Sequence, residues 1–372
     1  MYRVRAREAD SLNVIGQTKE QMDTPALLID LDVMEKNSKH MADFFKNAKA
    51  RLRAHTKVHR CPAIAHRQIE AGAKGICCQK VGEAEVMAEA GIRDIIVTNE
   101  IVTPPKIKRL LSLAALCKIS VPVDNAANAD VLSSLAARSG KRLDVLIDIH
   151  MGSNRCGVEP GEPALKLAKH VKKLRGLNII GLMGFEGHIS SMMPRKKRRA
   201  ECEKLERLLI DTKGLLERND ISVGEVSTGT TGTYDVTANF PGVTEVQAGT
   251  YVLMDLPYHQ HVPEFECAMH VLSTIISTPS PYRAITDAGL MSMNTPSGLP
   301  ALLDHRDVEV ADLHAENAIL KSKKPLRFKI GEKVEFLPTY LDGTVNLFDR
   351  FYATRRGRIE AVWSIAGRGR SF

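Results

Sequence analysis

Eight times between residues 51 and 248, a short β-branched apolar run is followed by a polar or amphipathic stretch. The runs fall at 51–56, 75–78, 94–97, 119–123, 143–149, 178–183, 224–227 and 245–248. Helical patterns separate most of them, at 62–71, 81–90, 105–117, 125–139, 163–174 and 194–216, with a short one near 234–240. Prolines near several starts suit a first helical turn. Strand–helix units of about 25 residues, repeated eight times, predict a (β/α)8 TIM barrel. A doubly wound open sheet is the competing arrangement. The residues just after the runs favour the barrel: Lys57, Gln79, Asn99, Asp124, His150, Phe185-Glu186-Gly187-His188, Thr228–Thr233 and Gly249-Thr250. In a closed barrel these positions make one ring at the C-terminal face, where active sites sit.

After about residue 261 the helical periodicity fades. Runs at 268–276, 283–285, 333–336 and 357–363 read as strands between Gly and Pro turns. The expected organisation is a barrel over 25–260 and a β-rich domain built from 1–24 and 261–372. A strand at 26–31 precedes the barrel and is a candidate to pair with that second domain. A length of 372 residues accommodates one large barrel plus a smaller domain.

Composition excludes several classes. Hydrophobic residues are 44% and charged residues 26%, ordinary for a globular chain. No apolar run approaches the ~18 residues of a membrane span, and the first residues lack an apolar signal core. The expectation is therefore no membrane partner. The net charge is +8, but the basic residues are dispersed apart from Arg195-Lys196-Lys197-Arg198-Arg199. That run reads as a solvated helix start rather than a polyanion site. With 5% aromatics, stacking platforms for single strands are not expected, and no nucleic acid is expected as a partner. The excess positive charge favours anionic small molecules. Seven cysteines without a CxxC pair fit a reduced, cytoplasmic setting.

The ring carries a recognisable chemistry. Lys57 ends the first run, in Arg53-Ala54-His55-Thr56-Lys57-Val58-His59. Strand alternation places Arg53, His55, Lys57 and His59 towards one side. Burial and neighbouring cationic groups lower a lysine's pKa, which a Schiff-base amine needs. The competing reading is a surface lysine at the start of the next helix. The loop Ser227-Thr228-Gly229-Thr230-Thr231-Gly232-Thr233 and the turn Gln247-Ala248-Gly249-Thr250-Tyr251 suit a phosphate, through hydroxyls and backbone N–H groups. A phosphate cup opposite a strand-end lysine is what pyridoxal 5′-phosphate requires. Arg155 lies between them in order and could face the pyridine nitrogen; otherwise it holds its loop.

These residues belong to longer matching stretches. They are Asp23–Asp32, Arg53–Cys61, Gly75–Glu85, Arg155-Cys156-Gly157, Thr228–Asp235, Gln247–Asp255, Thr344–Asp349 and Val362–Gly369. In these the chain resembles the D-threonine aldolase / D-serine dehydratase group of alanine-racemase-like, fold-type III pyridoxal-phosphate enzymes. The resemblance implies a barrel plus β-domain protomer, and a homodimer in which both subunits build each site. It implies Lys57 as the Schiff-base lysine, with Gln79, Thr231, Gly249, Thr250 and Tyr258 on the cofactor. It implies D-configured 3-hydroxy-amino acids as substrates, cleaved to glycine and an aldehyde by the aldolases or dehydrated and deaminated by the dehydratases.

Three positions depart from the group's pattern. Its metal-binding His-x-Asp (or His-x-Cys) aligns with Tyr340-Leu341-Asp342, so Asp342 remains and the His does not. A phenol is a poor ligand for Mn, Fe or Zn unless ionised. Asp342 alone would hold a hydrated Mg²⁺ or Mn²⁺ weakly. Asn317 replaces a second His, and Met291 replaces a Lys. The expected function is a D-threonine-aldolase-type lyase with an altered or absent metal site. Tyr340 is a candidate acid–base for it, and His59 and His188 are candidate general bases or orienting groups. The alternatives are a racemase or epimerase using Lys57 and Tyr340, a dehydratase, or a cofactor-carrying protein without turnover.

Overall fold

The computed structural model describes residues 14–372. The part of the expected β-rich domain before residue 14 lies outside the described residues. The chain divides into two compact units. One comprises His40–Lys57, Ile64–Gly249 and Gly369–Phe372; the other comprises the described part of Met1–Lys39, with Val58–Ala63 and Thr250–Arg368. The partition differs from a barrel over 25–260, because 25–39, 58–63 and 250–260 group with the sheet-rich unit.

The first unit is the barrel. Its parallel strands pair in the order Arg51–Leu52, Glu245–Val246, Glu225–Thr228, Leu177–Gly184, Leu143–Ile149, Lys118–Val123, Asp94–Val97, Ile76–Cys78 and Ala54–His55. The first and last members are one continuous stretch, interrupted only at Arg53. On one side of it Arg53 N–H donates to Val246 O (2.9 Å) and His55 N–H to Ala248 O (3.0 Å). On the other side Ala54 N–H donates to Gly75 O (3.1 Å). The sheet therefore closes on residues 51–55, and eight strands make the ring. Helices Pro62–Glu70, Val81–Glu89, Pro104–Leu113, Ala126–Arg138, Glu162–Lys172, Arg195–Glu217 and the short Tyr234–Thr237 follow successive strands. Asn125 caps one of them, its side chain accepting from Ala127 N–H and Asn128 N–H.

The barrel's N-terminal end is held by charge. Arg53 is fully buried and donates from Nε to Glu245 Oε1 (2.9 Å) and from Nη1 to Asp94 Oδ1 (2.7 Å). Lys74 Nζ joins Glu245 (3.1 Å) to Glu225 (3.0 Å), and Lys118 reaches Glu225 at 3.2 Å. Asp94, Lys118, Glu225 and Glu245 are each the first residue of a strand. Arg53, Lys74 and Lys118 thus link the starts of these four strands to one another and to residues 51–55. Gly75 is a glycine because a Cβ there would stand 2.6 Å from both Asp94 O and Arg53 Nη1. Cys77, Ile96, Leu146 and Met183 form an apolar cluster contributed by four strands.

The second unit is mostly β. Its sheet runs Glu309–Leu313, Ala318–Lys321, Arg283–Thr286, Met269–Ser280, Ala26–Asp30, Arg350–Arg355 and Arg358–Ser364. Lys333–Leu337 also pairs with Met269–Ser280, and Ala301–Leu302 with Lys333–Leu337. Ala26–Asp30 lies antiparallel to Met269–Ser280 and parallel to Arg350–Arg355. It is buried, with Leu28 packing in one cluster with Met22, Ala26, Leu272 and Ile359. In the same unit Glu335 accepts from His270 Nδ1–H (3.0 Å) and from the Lys19 ammonium. Burial alone would raise the Glu335 pKa; these two hydrogen bonds outweigh it and hold it at about 2. Among the described residues, no helix is long and apolar enough to cross a membrane.

Two stability predictions follow from these charges. Arg53→Met leaves Glu245 buried without its closest cation, and should cost about 3–5 kcal/mol in urea unfolding. A loss below about 1 kcal/mol would show that Lys74 alone suffices. Glu335 has a lowered folded pKa, so its contribution is present above the ordinary 4.5 and disappears as pH falls towards 2. Across that window wild type should lose about 3 kcal/mol that Glu335→Gln does not lose. Paired denaturation curves at each pH measure the difference.

Candidate active site

At the C-terminal strand ends the barrel encloses a pocket lined by His55, Lys57, Gln79, Thr98, Arg155, Met183, Gly184, Phe185 and Gln247. Its position follows from where the first strand stops. The strand ends at His55, and Thr56–Val58 form a 3-10 turn. The regular strand therefore ends before Lys57, and a turn rather than the pleat carries Lys57 into the same pocket wall as His55; His59 is not among the lining residues. Lys57 is half-buried in the pocket wall. Its N–H donates to His55 Nδ1 (3.4 Å), and His55 Nε2 lies 3.1 Å from Thr98 Oγ1. The imidazole thus bridges the lysine turn and the strand Asp94–Val97. Gly249 presses on this wall, since a Cβ there would sit 2.3 Å from His55 O.

The other wall carries Arg155, stacked on Phe185 with its guanidinium carbon 4.7 Å from the ring centroid. Gln79 donates its backbone N–H to Glu83 Oε2 (2.8 Å), and its amide reaches Thr98 O at 3.4 Å. Gln247 donates to Ser227 Oγ (2.8 Å). Lys57, Gln79 and Arg155 are therefore brought together. His188 is exposed and borders Gly152, outside the pocket lining.

The Gly/Thr loop differs in detail from expectation. Its composition suggests backbone N–H groups offered to a phosphate, yet three of them face side chains. Gly229 N–H donates to Glu186 Oε2 (3.2 Å), Thr230 N–H to Thr233 Oγ1 (3.1 Å) and Gly232 N–H to Thr230 Oγ1 (3.0 Å). Thr231 is buried at the centre of this wrapped turn. Gly229 adopts φ +89°, which favours glycine, and a Cβ would stand 2.7 Å from Val246 Cγ1. The acceptor at the middle, Glu186, was visible in sequence only as a strand-end residue. Its neighbour Glu206 was missed; the available signal was a carboxylate within the buried helix stripe Cys202, Leu205, Glu206, Leu209.

A second acidic group sits at the same strand ends. One ligand atom each from Glu100, Asp124 and Cys156 lies within 4.8 Å of the others. Burial, then the Glu100 and Asp124 carboxylates, push buried Asp148 well above the usual carboxylate range.

The sheet-rich unit holds the remaining sequence-predicted residues. His59 is fully buried, and its Nδ1 accepts from Cys61 N–H (3.0 Å), which fixes the turn it sits in. Thr250 opens a 3-10 turn, so its N–H has no partner within that turn. Tyr258 N–H donates to Asp255 Oδ1 (3.0 Å) in the cap of Leu256–His261. Tyr340 precedes the helix Leu341–Val345 and is 37% exposed, and Asp342 lies in that helix's first turn. Asn317 donates its amide to Thr286 O (3.0 Å), and Met291 is exposed. Among the described residues, the groups of three metal-ligating side chains are Glu100–Asp124–Cys156 and Glu186–Cys202–Glu206; Asp342 is in neither.

Comparison with known proteins agrees with this architecture. Residues 29–257 match the model of the alanine racemase N-terminal domain, and 268–354 that of a putative serine dehydratase domain. A D-threonine aldolase of an Arthrobacter species is 35% identical over 359 residues, 95% of each chain. A 3-hydroxy-D-aspartate aldolase of Paracoccus denitrificans is 31% identical, covering 96% of this chain and 95% of the relative. The crystal structure of a D-threonine aldolase from Filomicrobium marinum superposes with TM-score 0.94 at 35% identity, covering 96% of this chain and 99% of that one. With more than half of its length in the first domain match and a whole-chain relative above 30% identity, this chain belongs to the alanine-racemase-like family, in its D-threonine aldolase and D-serine dehydratase group.

Proposed function

We propose that this protein is a pyridoxal-phosphate-dependent lyase that cleaves D-3-hydroxy-amino acids to glycine and an aldehyde. The observation that carries the reading is the strand-end lysine. Lys57 stands half-buried beside Gln79 and Arg155, in a family whose aldolases align over nearly the whole chain.

The residues present suit the cofactor. Lys57 offers the amine that holds its aldehyde carbon. Gln79 and Arg155 offer polar contacts to the ring, and Arg155 carries a fixed positive charge that would keep a facing pyridine nitrogen unprotonated. Thr231, Gly249, Thr250 and Tyr258 are read as the phosphate-end residues. When bound, pyridoxal phosphate supplies an electron sink for the pair released as the Cα–Cβ bond breaks. His55 orients the lysine turn through its two hydrogen bonds. His59, with Nδ1 committed to Cys61, is read as a group that shapes the turn, and His188 as an orienting hydrogen-bonder.

A metal fits poorly. The donor set at the expected position is one carboxylate, Asp342, beside a phenol, with an amide at 317 already turned to Thr286 O. We therefore assign the proton of the substrate 3-hydroxyl to Tyr340 rather than to metal chemistry. A phenol there also supports the second reading, a racemase that moves the Cα proton with Lys57 and Tyr340; product analysis separates the two, and water and ammonia loss would mark a dehydratase. The working form is taken to be a homodimer in a reducing, cytoplasmic compartment, consistent with cysteines that are all free thiols.

The purified protein should show the visible absorption of lysine-bound pyridoxal, and Lys57→Ala should lose both this band and turnover. D-Threonine should yield glycine and acetaldehyde, and EDTA should leave the rate within about twofold, because no metal-bound hydroxyl is used. Tyr340→Phe should lower kcat by about 10²-fold or more, the scale of one acid–base group. Loss of activity in EDTA with restoration by Mn²⁺ would overturn the metal-free assignment. Inversion at Cα without cleavage would favour the racemase.

A further inference from the structure

The buried carboxyls Glu186 and Glu206 are left unexplained by the pocket itself. Both are fully buried in the barrel unit. One oxygen of each lies within 4.8 Å of the other and of the Cys202 thiol. A cation is a poor occupant, because the Glu186 oxygens already accept three hydrogen bonds. Oε2 accepts from Gly229 N–H and Thr228 Oγ1–H, each at 3.2 Å, and Oε1 accepts from the Thr233 hydroxyl.

Those three donors belong to the Gly/Thr loop. Thr233 passes the constraint on, since its Oγ1 also accepts from Thr230 N–H (3.1 Å). Thr230 Oγ1 in turn accepts from Gly232 N–H (3.0 Å) and lies 2.9 Å from Ser190 Oγ. One carboxylate therefore determines the direction of successive peptide groups on either side of Thr231. Glu206 completes the arrangement. Its Oε1 lies 3.5 Å from Thr228 Oγ1 and 3.2 Å from Thr237 Oγ1, while Oε2 has no partner. Thr228 has a single hydroxyl hydrogen and faces both carboxyls. A proton on Glu206, donated to Thr228, lets Thr228 donate to Glu186. Burial, with the Glu186 charge beside it, pushes Glu206 well above the usual carboxylate range, in the direction this count requires.

We propose that Glu186 is the positioning residue of the phosphate cradle: it draws Gly229 N–H directly, and Thr230 N–H through Thr233, into the protein, and so sets the loop around Thr231 that receives the phosphate. This rests on the pyridoxal-phosphate reading and adds a residue to it that touches neither cofactor nor substrate.

The test separates the phosphate from the ring. Cofactor-free protein is titrated with pyridoxal phosphate and with pyridoxal, which has the same aldehyde and ring without the phosphate. Binding is read from the visible band, with no turnover involved. In Glu186→Leu, pyridoxal phosphate should bind at least about tenfold more weakly while pyridoxal changes by less than about twofold, the scale of one or two lost hydrogen bonds. Thr233→Val removes the hydroxyl link at nearly constant volume and should give the same selective loss if Glu186→Leu does not fold. Thr233→Ser should restore binding. Equal weakening of both ligands, or unchanged phosphate binding in folded variants, would overturn the inference while leaving the reading intact. A wild-type protein that binds no pyridoxal phosphate would overturn the reading itself, and this inference with it.

Discussion

The barrel depends on how its first strand is used twice. Residues 51–55 pair on one side with Glu245–Val246 and on the other with Ile76–Cys78, and the ring closes there. Closure brings the Arg53 side chain against Glu245 and Asp94, from the last and third strands of the ring. A guanidinium can bridge two carboxylates because its donors point in fixed, different directions. Desolvation of such groups is expensive, so the arrangement contributes as a matched set and becomes a liability when one member is removed. It also leaves the opposite end of the barrel without this tie, and there the same first strand stops at His55. The turn that carries Lys57 is therefore a direct consequence of where the closing strand runs out of pairing partners.

At that opposite end hydrogen bonds at His55 and Glu186 shape the turn and the loop. His55 links two strand ends, and Glu186 gathers the Gly/Thr loop. Burial pushes the Glu186 carboxyl upward, and the hydrogen bonds it accepts from Thr233, Gly229 and Thr228 work against that shift. A second carboxyl beside it then favours its protonated form, because two like charges at that distance in a low-dielectric interior repel strongly. The pair divides the labour: one member orients peptide groups, the other supplies the hydrogen that makes the count balance. Loops built in this way have a defined shape before any ligand arrives, which lowers the ordering cost of binding.

Much of this was legible in the sequence, for physical reasons that can be named. Parallel strands buried on both faces read as continuous apolar runs, so the eight strands stand out, and in a barrel the residues after them must share one face. The strand at Ala26–Asp30 was legible as a strand, and its buried pattern is that of a sheet interior. Two things were not legible. Period-two alternation says nothing about where a strand stops, so the 3-10 turn at Thr56–Val58 was invisible, although Lys57 does line the same pocket as His55 while His59 does not. A Gly/Thr loop announces an anion cradle by composition, but not which N–H groups face inward. That depends on Glu186, more than forty residues earlier in the chain, and on Glu206, whose position in a helix stripe reads as an interruption of the apolar face.

The two halves of the expected chemistry sit on differently constrained scaffolds. Lys57 and Gln79 directly follow strands of a closed ring, and Arg155 lies in the loop after Leu143–Ile149. Tyr340 and Asp342 occupy the start of a five-residue helix in a unit of strands and turns, and Tyr340 is partly exposed. Substitution at such a position changes the chemistry offered with little effect on packing. Imidazole to phenol is a change of that kind: it exchanges a good ligand for a transition metal for a group whose strength is moving a proton. At the other positions where the resemblance implies a departure, the Asn317 amide is turned to Thr286 O and Met291 offers no charge, so on that reading neither adds a metal ligand. They fit the proposed carbon–carbon cleavage in which the hydroxyl proton leaves to a side chain.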